Sequence, residues 1–118
     1  MMFYRRKTIL ALIDLLGGDT EKIRLQKLLF LYSKRQEKPE YDFIPYKFGC
    51  FSYSVNADLN TMVKKNYLEE TENRYIKIDS KKYIEALKET DQKNLLESVS
   101  DYGNMNTGVL IKHTYLNF

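Results

Sequence analysis

The chain has 118 residues, 43% hydrophobic and 30% charged, with a net charge of +3, enough for one hydrophobic core and too little for two ordinary domains. One cysteine excludes an intramolecular disulfide framework and a cysteine-rich metal centre. No apolar run approaches the ~18–20 residues a membrane span needs, and the slight positive balance does not by itself announce a nucleic-acid partner.

The first predicted helix covers residues 4–16, with Ile9, Leu12, Ile13 and Leu16 on its buried face. Gly17-Gly18 is its stop signal, because glycine accepts the left-handed conformation found at helix ends. The basic start, Arg5, Arg6 and Lys7, reads as solvated charge. Asp14 inside the apolar run argues against a signal peptide. Asp19 or Thr20 is expected to cap the next helix, which would fold back on the first as a hairpin.

That second helix, residues 23–35, is predicted to be the centre of the fold. Leu25, Leu28, Leu29 and Tyr32 follow i, i+3, i+4, i+7 spacing, and Phe30 and Leu31 widen the stripe beyond half the circumference. At roughly 1.5–3 kcal/mol per large side chain, burying it would contribute on the order of 10 kcal/mol, an upper bound.

A polar loop over 34–40 leads to an extended segment over 41–48. Pro45 marks that segment as an edge strand or loop, and Gly49 should break it. Ser52 or Ser54 is expected to cap a third helix with Val55, Leu59, Met62 and Val63 inward, ending at Asn66. Residues 67–78 read as a β-hairpin with a polar tip at 72–74. Further on, Asp79-Ser80 should cap a helix over 81–88 with Tyr83, Ile84 and Leu87 inward. Thr90 should cap another over 91–102 with Leu95, Leu96, Val99 and Tyr102 inward, closed by Gly103. Thr107 should cap a last helix carrying Val109, Leu110 and Ile111. The sequence therefore predicts a mainly helical α+β domain. Its front half, 1–78, is winged-helix-like with a small hairpin, and its back half, 79–118, is helical and ends while still apolar, so that the last helix is expected either to dock tightly on the core or to continue in the natural protein.

Catalytic constellations are not visible. The only histidine, His113, has no Asp, Glu or Cys at ligand-like i±3 or i±4 spacing. Cys50 lies in an aromatic run with no base nearby. Glu69, Glu70 and Glu72 read as a solvated edge, and no phosphate-binding glycine loop follows a strand. The expectation is a chain that is neither an enzyme nor a cofactor or metal binder, in a reducing, cytoplasmic setting.

Two surfaces remain for binding. Tyr41, Phe43, Tyr46, Phe48, Phe51 and Tyr53 fall within thirteen residues. Too many to turn inward together, they predict an apolar protein-binding patch extending to the start of the third helix. Alternatively, the third helix is a recognition helix for DNA, with Asn56, Asn60 and Lys64 outward and Arg74 on the wing. Asp58 is expected to face the same way and to oppose phosphates.

Leu25-Gln26-Lys27-Leu28-Leu29-Phe30-Leu31-Tyr32, then Tyr46-Lys47-Phe48-Gly49 and a serine-rich helix start, resemble the SocA-like antitoxin domain, also called Panacea. Cys50 stands where that family has proline after the glycine, and His113-Thr114 reverses its terminal Thr-His pair. The resemblance implies a bacterial or phage-encoded, non-enzymatic module that binds a cognate toxin, of a type whose members commonly continue past the terminal helix. It leaves the oligomeric state open.

Overall fold

A computed structural model describes residues 2–47 and 49–118. Helix α1, Tyr4–Leu15, ends as its glycines require. Gly17 lies at φ +94°, its N–H donates to Asp14 O (3.0 Å), and the Gly18 N–H donates to Ile13 O (2.8 Å), which closes a Schellman turn. The chain then departs from expectation. Asp19 and Thr20 do not cap a helix but belong to strand β1, Asp19–Glu21; Glu21 precedes the next helix without a side-chain cap. The backbone groups of β1 are held instead by β5, Arg74–Lys77, in the register Asp19↔Ile76, Thr20↔Tyr75, Glu21↔Arg74.

Helix α2, Lys22–Ser33, is the centre of the molecule. Every residue from Leu25 to Ser33 is buried, and the helix touches α1, β1 and three elements that come later in the chain. Strands β2, Ile44–Tyr46, and β3, Gly49–Phe51, form an antiparallel hairpin in which Pro45 faces Cys50. Gly49 was expected to end the extended segment; it opens the returning strand. It lies at φ +97°, and a Cβ there would collide with the Thr114 Oγ1.

Helix α3, Tyr53–Lys64, is capped by Ser52, whose hydroxyl accepts the Val55 N–H at 3.2 Å. Asn66, at φ +64°, turns the chain out of it into β4, Leu68–Glu70. Strands β1, β5 and β4 make one antiparallel sheet in that order. The front half thus runs α1-β1-α2-α3-β4-β5, the winged-helix order, with the β2–β3 hairpin inserted between the second and third helices.

Residues 81–88 are not the expected helix. They form irregular chain with one 3-10 turn, Ile84–Ala86, although Tyr83 and Leu87 are buried as their spacing predicts. Carboxylates take the N–H groups a first turn would leave free: Asp79 Oδ1 accepts from Lys81 (3.1 Å) and Asp14 Oδ2 from Tyr83 (2.9 Å). Lys77 Nζ binds Asp79 Oδ1 (2.7 Å), lies 3.0 Å from Asp14 Oδ1, and donates to the Lys81 carbonyl (2.7 Å). The segment is therefore wrapped around a buried ammonium.

Helix α4, Glu89–Tyr102, begins after Lys88, so Thr90 lies inside its first turn rather than capping it. Leu95 is buried, whereas Leu96 faces out. Gly103 follows in ordinary right-handed geometry, φ −62°. The turn beyond it is clamped to α2 by Arg24, which donates to Gly103 O (2.8 Å) and Met105 O (2.6 Å). The last helix, α5, Thr107–Leu116, is capped by Asn106 rather than Thr107, its Oδ1 accepting the Val109 N–H at 2.9 Å. Leu110 is its buried anchor and Val109 is exposed. Phe118 stacks on Phe30 at 4.5 Å between centroids.

Candidate functional site: an aromatic-rimmed groove

The hairpin is fixed to the central helix by two polar side chains set in its apolar stripe. Gln26 pairs with Ser52 as a strand would, accepting its N–H at 2.9 Å and donating to its carbonyl at 3.2 Å. One residue on, Lys27 Nζ donates to the Cys50 carbonyl at 2.6 Å. Buried peptide groups need such partners, because leaving one unpaired costs about 1–3 kcal/mol. The Leu-Gln-Lys run and the Gly49–Ser52 stretch are therefore a single physical unit.

This docking leaves a groove of about 340 Å³ between the hairpin, α2, α3 and the sheet. Ile23, Phe51, Leu59 and Tyr75 supply apolar wall, and Lys22, Gln26, Lys27, Tyr46 and Asn56 complete the lining. Lys22 Nζ pairs with Glu70 at 2.6 Å and lies over the Tyr75 ring. Above the groove runs an aromatic ridge. Tyr46 packs on Phe51 at 5.4 Å and Phe51 on Tyr53 at 5.0 Å. Tyr46 is 45%, Tyr53 65% and neighbouring Ile44 42% exposed.

The six aromatic residues singled out in the sequence therefore divide. Tyr46, Phe51 and Tyr53 form the ridge. Phe43 leans inward onto Phe30, edge to face at 5.4 Å. Tyr41 is buried and belongs to the core, which removes it from the predicted patch. Phe48 lies outside the described residues.

Tyr41 is held there by Asp58, which the sequence places on the outer face of α3. Asp58 does not face outward from α3 but is 2% exposed. Its carboxylate accepts from Tyr41 OH at 2.7 Å and pairs with Arg5 Nε at 2.8 Å and Arg6 Nε at 3.0 Å. Burial alone would raise its pKa; Tyr41, Arg6 and Arg5 overcome this and hold it below the ordinary carboxylate value. Arg5 and Arg6 are thus engaged with α3 rather than simply solvated.

Of the DNA-reading set, Asn56, Asn60 and Lys64 recur at i, i+4, i+8 along α3. Asn60 and Lys64 are exposed on α3, Asn56 lines the groove, and Arg74 pairs with Asp19 at 2.6 Å across β1 and β5. Cys50 is fully buried, its thiol pushed up to about 11 by burial and drawn back only in part by Lys27. The His113 ring tilts against Tyr102 at 5.6 Å. Among the described residues no three His, Cys, Asp or Glu side chains group as metal ligands, and no helix is long and apolar enough to cross a membrane.

Sequence reasoning overlooked most of the groove's lining: Lys22, Ile23, Gln26, Lys27, Leu59 and Tyr75. The available signal was Gln26-Lys27, two polar residues set among the apolar residues of the central helix, which must find partners once buried. A scan of protein-family models finds no match to this chain, and no curated protein matches it significantly.

Proposed function

We propose that this chain is a non-enzymatic protein-binding module of the SocA-like antitoxin kind, acting in the cytoplasm to bind and neutralise a cognate toxin. The observation that carries the reading is the Tyr46–Phe51–Tyr53 ridge standing exposed beside a preformed, mostly apolar groove. Tyrosine and phenylalanine clustered next to a pocket supply large contact area with few rotors to freeze, the composition of interface anchors. Gln26, Lys27 and Tyr46, which line the groove, lie in the two stretches that carry the family resemblance. The decisive experiment is co-expression with the product of the adjacent gene. The wild type should relieve its toxicity and form a stoichiometric complex, and the paired Tyr46→Ser and Tyr53→Ser variant should do neither while keeping its circular dichroism spectrum. A double variant that neutralises fully refutes the assignment of the surface.

A second reading, a winged-helix transcription regulator, is favoured by the strand order β1-β5-β4 behind α2 and α3 and by the inward turn of Asp58, which takes one negative charge off the α3 surface. Asn60 and Lys64 would then approach the major groove. A DNA titration across salt separates the readings: a regulator shows a steep salt slope that shrinks by about one contact in Lys64→Ala.

A further inference from the structure

Lys27 is 3% exposed, yet among the described residues its ammonium has one acceptor, the Cys50 carbonyl, and no carboxylate pairs with it. The other buried lysine side chain, that of Lys77, is surrounded by two carboxylates and two carbonyls. An ammonium carries three donors, and desolvating a charge without a counter-ion is costly. Lys27 is one of the residues that line the groove, whose wall is otherwise largely apolar. Burial lowers the pKa of Lys27, the signature of a charge without enough partners.

We propose that the groove receives an acidic segment of the partner protein, in which a side-chain carboxylate pairs with Lys27 while an adjoining apolar side chain fills the space between Phe51, Leu59 and Tyr75. The inference rests on the protein-binding reading and names the chemistry its partner must bring. Carboxylate and ammonium form a strong charge-assisted hydrogen bond in a water-poor site. Asn56, which also lines the groove, brings an amide that can hydrogen-bond the backbone of the same segment.

The test uses two fluorescein-labelled octapeptide pools with a fixed Phe-Glu or Phe-Gln centre and uncharged residues elsewhere. The full chain should bind the Phe-Glu pool about tenfold more tightly, a ratio worth about 1.4 kcal/mol. Lys27→Met keeps the apolar stem and should reduce the preference to less than about twofold. As a readout independent of that variant, the Lys27 ε-carbon resonance, followed against pH, should titrate higher with the Phe-Glu pool bound. Equal binding of both pools, with both lost in Tyr46→Ser, overturns the carboxylate pairing and leaves protein binding standing. No binding of either pool overturns the pairing and the groove together.

Discussion

Replacing Asp58 with asparagine isolates the charge that ties α1 to α3 and to the root of the hairpin. The side chain keeps its shape, so Tyr41 OH retains an acceptor, but Arg5 and Arg6 lose their counter-ion. Breaking a fully buried pair from one side costs about 3–5 kcal/mol, but the Arg5 side chain is 36% and the Arg6 side chain 15% exposed, so water takes up part of the released charge and the cost falls to about 1–3 kcal/mol. At roughly 4 °C per kcal/mol for a domain of this size, Asp58→Asn should melt about 4–12 °C below wild type at pH 7. Tyr41→Phe removes one hydrogen bond to a charged acceptor and should cost about 1.5–3 kcal/mol. The pH dependence is also fixed in sign. The folded-state pKa of Asp58 is lowered, so its contribution is complete above the unfolded value near ~3.9 and is lost as pH falls through the lower folded value. Thermal melts of both proteins from pH 7 to pH 2.5 should show the gap constant at first and then closing. A gap under about 3 °C at pH 7, or one that persists unchanged to the acid limit, refutes the reasoning.

Three further substitutions test the parts that hold the groove in place. Gly49→Ala forces an L-residue to φ +97° and a methyl against Thr114 Oγ1, and should cost about 3 kcal/mol in urea titration. Adding Thr114→Ala should return about 1 kcal/mol, since it relieves the collision but not the backbone strain. Gln26→Leu strands the buried N–H of Ser52, whose carbonyl keeps the Asn56 N–H at 3.2 Å, and should cost about 1–3 kcal/mol by the same measurement. Lys77→Met leaves Asp14 and Asp79 facing each other without their cation and should cost about 3 kcal/mol at pH 7. Although burial opposes it, Asp79 and Asp14 raise the pKa of Lys77. Its contribution is therefore intact below the unfolded lysine value near ~10.4 and is lost only as pH rises through the higher folded one. The difference between wild type and Lys77→Met should accordingly hold up to about pH 10 and narrow above it.

The parts of the fold legible in the sequence are those set by neighbours in the chain. Leu25 to Ser33 declares a central helix because no solvated face is left over. Gly17, Ser52 and Asn66 mark ends because their backbone or side-chain chemistry acts within a turn. The misread parts depend on partners far away in sequence. Strand β1 has three residues and exists because β5 returns beside it. Residues 81–88 carry a helical apolar pattern, but Asp14 and Lys77, brought alongside by α1 and β5, capture their backbone groups. Asp58 lies at the margin of the Val55–Leu59–Met62 stripe, and Tyr41, Arg5 and Arg6, all distant in sequence, decide which way it turns. For the site, aromatic density located the ridge, whereas helical spacing gave no sign that Gln26 and Lys27 would meet Ser52 and Cys50.

Hydrogen exchange on the complex with the adjacent gene's product tests the central claim most directly. Backbone amides of β2, β3 and the first turn of α3 should slow at least about tenfold on binding, while the α3 face bearing Asn60 and Lys64 stays unchanged. Protection confined to that face and the β4–β5 wing, with Ile44–Tyr46 and Gly49–Phe51 exchanging as in the free chain, would contradict it.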